Sequence, residues 1–169
     1  MNRPFAASLF LLLVLTCNSG FSWQAGGTSK DVLLKGGRIL DVSQGRLLDS
    51  EVLVSGHRIR EVSPSIKYDT ENTTIMELNG MVVMPGMIDL HSHLLLHPYN
   101  EAPWNDQVLK ESLELRTVRG TVHARRTVEA GFTTIRDLGT EGAGFADVAL
   151  RDAINGGMIP GPRVFAVTK

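Results

Sequence analysis

The amino-acid sequence predicts an α/β fold with a β-rich first part and a second part in which strands and helices alternate. Between residues 31 and 84, short apolar runs alternate with turn residues such as Gly36-Gly37, a pattern typical of strands joined by tight turns. After Pro85-Gly86 the order becomes strand, helix, strand, helix, strand. Parallel strands need helices as crossovers, so this order predicts a parallel β/α series.

The first 25 residues are predicted to be a secretory signal peptide. Arg3 precedes an apolar run at residues 5–15, and small or polar residues follow, as in an export signal. The run is shorter than the roughly 20 apolar residues of a membrane-spanning helix, so no stable membrane span is expected. We expect export to the periplasm or the extracellular space, with cleavage within residues 16–27. Lipid anchoring at Cys17 is the alternative, although threonine is a poor residue immediately before a lipoprotein cysteine.

Composition limits the expected partners and the kinds of site. The 17 basic and 18 acidic residues give a net charge of −1, which offers no general attraction to nucleic acid or to an anionic membrane. A small-molecule substrate is therefore expected rather than a large polyanion, and the sequence leaves monomer and oligomer both open. Cys17 is the single cysteine, so an internal disulfide and a cysteine-based zinc site are excluded.

The β-rich part is expected to form a small antiparallel sheet of about 50 residues. Its strands are predicted at residues 32–35, 38–42, 50–54, 57–62 and 74–78. Three strands and two helices are predicted after it: strands at 87–93, 132–137 and 163–168, and helices at 106–130 and 145–154. Three parallel strands are too few to close a barrel, since a (β/α)₈ barrel takes about 250 residues.

The longer helix is predicted from apolar residues at helical spacing, namely Leu109, Leu113, Val118 and Val122. Gly131 follows as its capping residue. Gly120 inside it costs roughly 1 kcal/mol relative to alanine, which makes it a candidate break in the helix.

The segment from Met84 to His93 carries the candidate chemistry. Side chains alternate across a strand, so its polar and apolar positions fall on opposite faces. The polar face carries Asp89, His91 and His93, and the apolar face, which we expect to pack beneath the helices, carries Ile88, Leu90 and Leu94. Two imidazoles separated by one residue can converge on one divalent ion. A catalytic zinc has at least three protein ligands, so further ligands must come from elsewhere.

The other histidines are interpreted as parts of the scaffold. His97 lies in the following loop, where a solvated residue is the first interpretation and a metal ligand the alternative. His123 falls in a helix rich in charged residues and is expected at the surface. His57 follows Gly56 and is expected in a turn.

Asp137 ends the second strand of the β/α series and has two open interpretations. It is either a hydrogen-bond acceptor near the metal or substrate, or a helix cap or partner of Arg136. Lys169, the last residue, is interpreted as an ordinary lysine rather than a metal-bridging one. Three acidic residues on the helices are expected to be solvated charges: Glu129, Asp147 and Asp152.

These segments resemble the metal-dependent amidohydrolase superfamily. The superfamily's first barrel strand carries Pro-Gly-hydrophobic-Ile-Asp-x-His-x-His, which matches residues 84–93. Residues 32–41 and 56–59 look like its small N-terminal β-sandwich. Residues 124–139 and 159–164 are similar to the imidazolonepropionase-like branch, which includes prolidase-like dipeptidases.

The resemblance implies three segments: a signal peptide at residues 1–25, the N-terminal part of a β-sandwich at 31–84, and the start of a (β/α)₈ barrel at 85–169. It also implies a mononuclear or binuclear zinc centre in which His91 and His93 bind the more buried metal. The superfamily's remaining ligands are a carboxylated lysine and two histidines on strands four to six. Its base is an aspartate on strand eight. All of these are expected beyond residue 169, so this chain holds none of the catalytic residues and is expected to be an inactive N-terminal fragment. Asp89 and Asp137 are the candidates for contacts behind the metal ligands or with substrate.

The implied activity is hydrolysis of carbon–nitrogen bonds in an amide or cyclic amide, with Xaa-Pro-type dipeptides as one expected substrate class. A deaminase with the same fold is a variant of this hypothesis. The alternative from a different class is a non-catalytic remnant that acts as a binding or interaction protein. An open parallel edge at the third strand argues against that alternative, because exposed edges invite aggregation.

Overall fold

The computed structural model describes residues 30–167. The predicted signal peptide, Cys17 and Lys169 lie outside the described residues. Within residues 30–167, none of the helices is long and apolar enough to cross a membrane.

Seven short strands form the first part of the chain. They are β1 (Asp31–Lys35), β2 (Arg38–Asp41), β3 (Arg46–Leu48), β4 (Glu51–Ser55), β5 (Arg58–Ser63), β6 (Thr73–Glu77) and β7 (Val82–Val83). The second part alternates strands and helices, as the sequence predicts. Its elements are β8 (Met87–Ser92), α1 (Trp104–Leu109), α2 (Leu113–Glu129), β9 (Phe132–Asp137), α3 (Ala146–Asn155) and β10 (Arg163–Ala166).

The first seven strands form two sheets, with orders β5-β4-β1-β6 and β3-β2-β7. The prediction of one antiparallel sheet was wrong, because β6 pairs parallel to β1 and β7 pairs parallel to β2. The reason is that the β6–β7 segment runs alongside the β1–β2 segment through both turns. Leu78 donates its N–H to the Lys35 carbonyl (2.7 Å), and Gly80 donates to the Gly36 carbonyl (2.8 Å).

The turn between β1 and β2 requires glycine. Gly36 has a φ of +75°, and a Cβ on Gly37 would lie 2.5 Å from the Met81 carbonyl oxygen. An alanine at either position would therefore strain the turn or push the neighbouring segment away. A small apolar cluster of Leu33, Leu53 and Ile66, with Tyr68 against it, fills the larger sheet's inner side.

The second part is a three-stranded parallel sheet with the order β10-β9-β8. The chain crosses from β8 to β9 through α2 and from β9 to β10 through α3. This confirms the predicted order of elements and the mixed α/β class. The core between the sheet and the helices comprises Leu94, Leu95, Ala124, Ile135, Ala143, Ala146, Leu150 and Val164.

The long helix predicted at residues 106–130 is two helices. It breaks before Ser112, whose hydroxyl caps α2 by accepting a hydrogen bond from the N–H of Leu115 (3.3 Å). The break expected at Gly120 was wrong. A Cβ there would lie 2.6 Å from Leu150 Cδ1, so the glycine permits close packing of α2 against α3.

The buried face of α2 is formed by Arg116, Gly120 and Ala124. Of the apolar residues whose spacing predicted the helix, Leu109 lies in α1, and Leu113, Val118 and Val122 lie on the exposed side of α2, with Val118 64% exposed. The spacing therefore predicted the presence of the helix but not the face that it buries.

Candidate metal centre

The histidine pair lies at the end of β8. The ring centres of His91 and His93 are 5.4 Å apart, with an angle of 66° between the ring planes. The pairing of β8 with β9 is irregular between Asp89 and Ser92. The Asp89 carboxylate accepts a hydrogen bond from the His91 N–H (3.0 Å), so Asp89 shapes the backbone of the segment that carries both imidazoles.

The orientation of His93 is set by the loop after β9. Its Nδ1 lies 2.9 Å from the Gly139 carbonyl oxygen. A carbonyl can only accept, so Nδ1 carries a proton, and in the neutral imidazole Nε2 therefore keeps its lone pair. This is the arrangement typical of a histidine ligand, whose second nitrogen donates to a carbonyl or carboxylate.

Asp137 is fully buried at the end of β9. Its carboxylate accepts hydrogen bonds from the Leu94 N–H (3.0 Å) and the Gly139 N–H (3.1 Å). Burial raises the pKa of Asp137, the two backbone hydrogen bonds lower it, and the nearby charge of Asp147 raises it further. The carboxylate thus joins the residue after His93 to the residue whose carbonyl orients His93. Asp137 is therefore an acceptor for two loop N–H groups, and its place near a metal or a substrate stays a prediction.

Arg116 is the residue of this region that the sequence analysis missed. Its guanidinium is buried on α2 and donates to the carbonyls of Leu95, Thr140 and Glu141. Burial lowers its pKa. The sequence places Arg116 four residues before Gly120 and therefore on the same face of α2, but this spacing alone does not indicate that the face packs on the core.

His97 and His123 are partly buried rather than fully solvated, which differs from the expectation from sequence. His97 lies in the loop as predicted, but it is partly buried between the carboxylates of Glu101 (3.3 Å) and Glu111 (3.8 Å). His123 donates from Nδ1 to the Leu94 carbonyl (2.9 Å), and burial lowers its pKa. The two rings pack edge to face, 6.2 Å apart. His123 therefore packs against the loop of residues 94–97, through the Leu94 carbonyl and the His97 ring.

The expectation of solvated acidic residues was wrong for Asp147. It is fully buried in the first turn of α3, where its carboxylate accepts the Val148 N–H (2.8 Å). Glu129 and Asp152 are exposed and pair with Arg125 and Arg151, as expected. His57 is exposed in the β4–β5 turn, which confirms its predicted place.

The apolar face of β8 is only partly covered. Leu94 is buried, but Ile88 and Leu90 are 62% and 69% exposed, so the expected packing beneath the helices was wrong for these two. The reason is that α2 packs against β9 and α3 against β10. In the described part of the chain, β8 is an edge strand.

A cleft of about 520 Å³ opens beside the histidine pair. Its walls come from the end of β8, the following loop and α2. They are His91, Ser92, His93, Leu94, Leu96, His97, Pro98, Tyr99, Glu101, His123, Arg126 and Thr127. Among residues 30–167, His91 and His93 are not joined by a third histidine, cysteine or acidic side chain that would complete a metal site. These two imidazoles are the residues that could contribute to such a site.

Comparison with solved structures gives the same fold. A prolidase in complex with N-methylphosphonate-L-proline superposes with a TM-score of 0.69 and 33% identity, over 83% of this chain and 32% of that one. A Xaa-Pro dipeptidase with bound methionine in the active site gives 0.68 and 28%, over 81% and 33%.

Curated relatives are similar at the sequence level. A dihydroorotase from Staphylococcus epidermidis is 34% identical over 103 residues, or 61% of this chain and 20% of the relative. An adenine deaminase from Chelativorans sp. (strain BNC1) is 37% identical over 71 residues, or 41% and 12%. The chain spans a fifth or less of these curated relatives and about a third of the two solved structures.

The sequence profile described as the amidohydrolase family matches residues 82–168, slightly more than half of the chain. The match includes β8 with its histidine pair, both crossover helices and the three parallel strands. The chain therefore belongs to the amidohydrolase family.

Proposed function

We propose that this chain is the N-terminal part of an exported, metal-dependent hydrolase that cleaves carbon–nitrogen bonds in small amides. The observation that carries the proposal is the pair of imidazoles at the end of β8, one of which is already oriented by a main-chain carbonyl. Membership of the amidohydrolase family, which generally uses divalent metals, supports it.

The spacing of the two rings fits a shared metal ion. With metal–nitrogen bonds of about 2.0–2.1 Å and a tetrahedral angle, the centres of two imidazole ligands lie about 5 Å apart. The observed distance between the centres of His91 and His93 is 5.4 Å. We propose zinc, held by these two side chains together with ligands from beyond residue 169. A bound zinc ion would lower the pKa of a water molecule and polarise the scissile carbonyl.

The described residues would prepare the site before any substrate arrives. The Gly139 carbonyl accepts a hydrogen bond from Nδ1 of His93, so the neutral ring carries its proton on Nδ1 and presents the Nε2 lone pair to a metal. Asp137 accepts the N–H of Leu94, next to His93, and the N–H of Gly139, so it holds the backbone on both sides of the hydrogen bond between His93 and Gly139. Asp89 fixes the His91 amide in the same way. We assign Asp89 and Asp137 the role of holding the ligand segment rather than contacting the substrate.

The substrate class we propose is a small peptide of the Xaa-Pro type. The support is that a prolidase and a Xaa-Pro dipeptidase are similar to this chain at 33% and 28% identity over more than four-fifths of its length. Cyclic amides and adenine are the competing substrates, because the chain is also similar to a dihydroorotase and an adenine deaminase. The proposed architecture is an N-terminal β-sandwich at residues 31–84 and the first units of a (β/α)₈ barrel at 85–169.

The first experiment is the intact mass of the native polypeptide, captured from its source with an antibody against residues 100–130. A mass well above 18.4 kDa would support a longer enzyme. A mass below that value, reduced only by the leader, would overturn the hydrolase proposal in favour of a non-catalytic remnant.

The second experiment measures zinc content and hydrolysis of Xaa-Pro dipeptides, dihydroorotate and adenine by the native polypeptide. We expect stoichiometric zinc, and dipeptide cleavage that chelators abolish. His93→Asn should reduce cleavage by more than about 100-fold, since loss of an outer-shell partner alone costs 10–100-fold. His57→Asn, in an exposed turn, is the matched control and should leave activity unchanged. Zinc-independent cleavage would refute the metal assignment.

A further inference from the structure

Arg116 is a buried charge that the proposed chemistry does not use. Its side chain is 2% exposed, and all three of its hydrogen bonds go to main-chain carbonyls. They join Nε to the Leu95 oxygen (3.4 Å), Nη1 to the Glu141 oxygen (2.9 Å) and Nη2 to the Thr140 oxygen (2.6 Å). Five donors on a rigid plane allow one guanidinium to hold several carbonyls at once.

The carbonyls that Arg116 holds belong to the loops that follow β8 and β9. Residue 95 lies two positions after His93, and residues 140–141 directly follow Gly139, whose carbonyl accepts the His93 Nδ1–H. A single side chain on α2 therefore ties the segment of the histidine pair to the segment that orients it.

Asp137 holds the same two loops with the opposite charge. It accepts from the N–H groups of Leu94 and Gly139, whereas Arg116 donates to the carbonyls of the next residues along each loop. Together the two side chains bind neighbouring main-chain N–H and carbonyl groups of both loops, and the Thr140 carbonyl also accepts the Ala143 N–H (3.3 Å). The Gly139 carbonyl lies between these anchor points, so its direction depends on both.

We propose that Arg116 is a positioning residue for His93. By holding the carbonyls of residues 140 and 141, it keeps the Gly139 carbonyl where it accepts the Nδ1 proton, which leaves Nε2 available to a metal. The metal part of this inference rests on the proposed function, whereas the orientation of the ring does not.

The test compares Arg116→Lys with Arg119→Lys in the native polypeptide. Arg119 lies one turn later on α2 and is partly buried, but its guanidinium pairs with the Glu111 carboxylate instead of the loop carbonyls. A lysine at 116 keeps the charge and loses the fork that reaches several carbonyls. Arg116→Gln, which keeps two N–H donors, serves as the second variant.

The first readout is the tautomer of His93 in metal-free protein, from ¹⁵N chemical shifts at a pH well above the ordinary imidazole value of about 6.5. We expect one tautomer with the proton on Nδ1 in the wild type and in Arg119→Lys, and a mixture in Arg116→Lys. The second readout is zinc affinity, which should fall about tenfold in the Arg116 variants, the lower end of the effect of outer-shell partners, and remain unchanged in the Arg119 variant.

An unchanged His93 tautomer in folded Arg116→Lys and Arg116→Gln would overturn the proposal. So would failure of both variants to fold, because Arg116 would then be required for the fold itself. If Arg116→Lys changed the His93 tautomer but the wild-type protein bound no zinc, the positioning role would be upheld and the metal centre refuted. The two failures are therefore distinguishable.

Discussion

Different interactions stabilise the two parts of the molecule, the N-terminal sheets and the β/α part. The N-terminal sheets have a small apolar centre, Leu33, Leu53 and Ile66. In their ion pairs the basic partner is exposed, as for Lys35 with Glu51, whose side chains are 44% and 14% exposed. The β/α part has a larger apolar core and also buries the charges of Arg116, Asp137 and Asp147.

The buried charges lie in the same part of the molecule as the histidine pair. Burying an ionised group costs free energy unless hydrogen bonds compensate for the lost water. Apolar side chains would have packed the loops at lower cost but could not have bound main-chain N–H and carbonyl groups. Buried charge is therefore found where loops must be held in one conformation, and an apolar core suffices where strands pair with one another.

The largest expected effect on stability lies in the N-terminal sheets. Leu33 is fully buried against Leu53 and Ile66, and Leu33→Ala should reduce the free energy of unfolding by about 3 kcal/mol through lost transfer energy and a cavity. Urea denaturation measures this loss. The His93 tautomer should not change, and a change would show that the two parts do not differ as described.

The next effect concerns Asp137. An amide in Asp137→Asn can accept one of the two backbone hydrogen bonds and turns its NH₂ toward the other donor, so we expect a loss of about 2 kcal/mol. Zinc affinity should fall with it. Asp152→Asn, which removes an exposed carboxylate paired with Arg151, is the matched control. Equal losses in the two variants would refute the role given to the buried carboxylate.

Asp137 also has a pH signature. Burial raises its pKa above the ordinary value of 3.8, so the native state favours the protonated form more than the unfolded state does. Its contribution to stability is fully present below 3.8 and is lost as the pH rises through the raised native pKa. The unfolding free energy of the wild type relative to Asp137→Asn should therefore decline over that interval. A relative gain with rising pH would contradict the raised pKa.

The sequence predicted the chain's elements better than their packing. The alternation of apolar runs and turn residues was enough to place β8, α3 and β9, and the spacing of His91 and His93 was enough to indicate a shared face. The parallel pairing of β6 with β1 was not predictable, because nothing local to either strand specifies a partner about 40 residues away.

The burial of charged residues was the feature that the sequence predicted least well. Asp147 and His123 look solvated in sequence because charged residues surround them on their helices. Asp147 is nevertheless fully buried, and His123 is partly buried with its ring bound to the Leu94 carbonyl. Arg116 shares a helix face with Gly120 and Ala124, and only the contacts of that face reveal that the arginine is buried. Helical periodicity does not state which side of a helix meets the core when both sides carry apolar residues.

A smaller effect is expected at His123. His123→Gln places an amide where the imidazole donates to the Leu94 carbonyl, and we expect a loss of about 1 kcal/mol. Burial lowers the pKa of His123 below 6.5, so its contribution is present above pH 6.5 and is lost as the pH falls through the lowered native pKa. Unfolding measured against pH should show this slope in the wild type and not in the variant. The exposed His57→Gln should retain the slope.

The smallest effect separates a partly exposed ion pair from the buried charges. The Glu111 carboxylate accepts hydrogen bonds from Nη1 and Nη2 of Arg119, and this contact lowers the pKa of Glu111 below 4.5. Glu111→Gln should cost about 0.5 kcal/mol at neutral pH, as for ion pairs near the surface. The contribution is present above pH 4.5 and is lost as the pH falls through the lowered native pKa. A double-mutant cycle with Arg119→Gln measures the pair itself. A coupling free energy between Glu111 and Arg119 as large as the loss of unfolding free energy in Asp137→Asn would contradict this expectation. The buried charges that hold the loops would then contribute no more than a partly exposed ion pair.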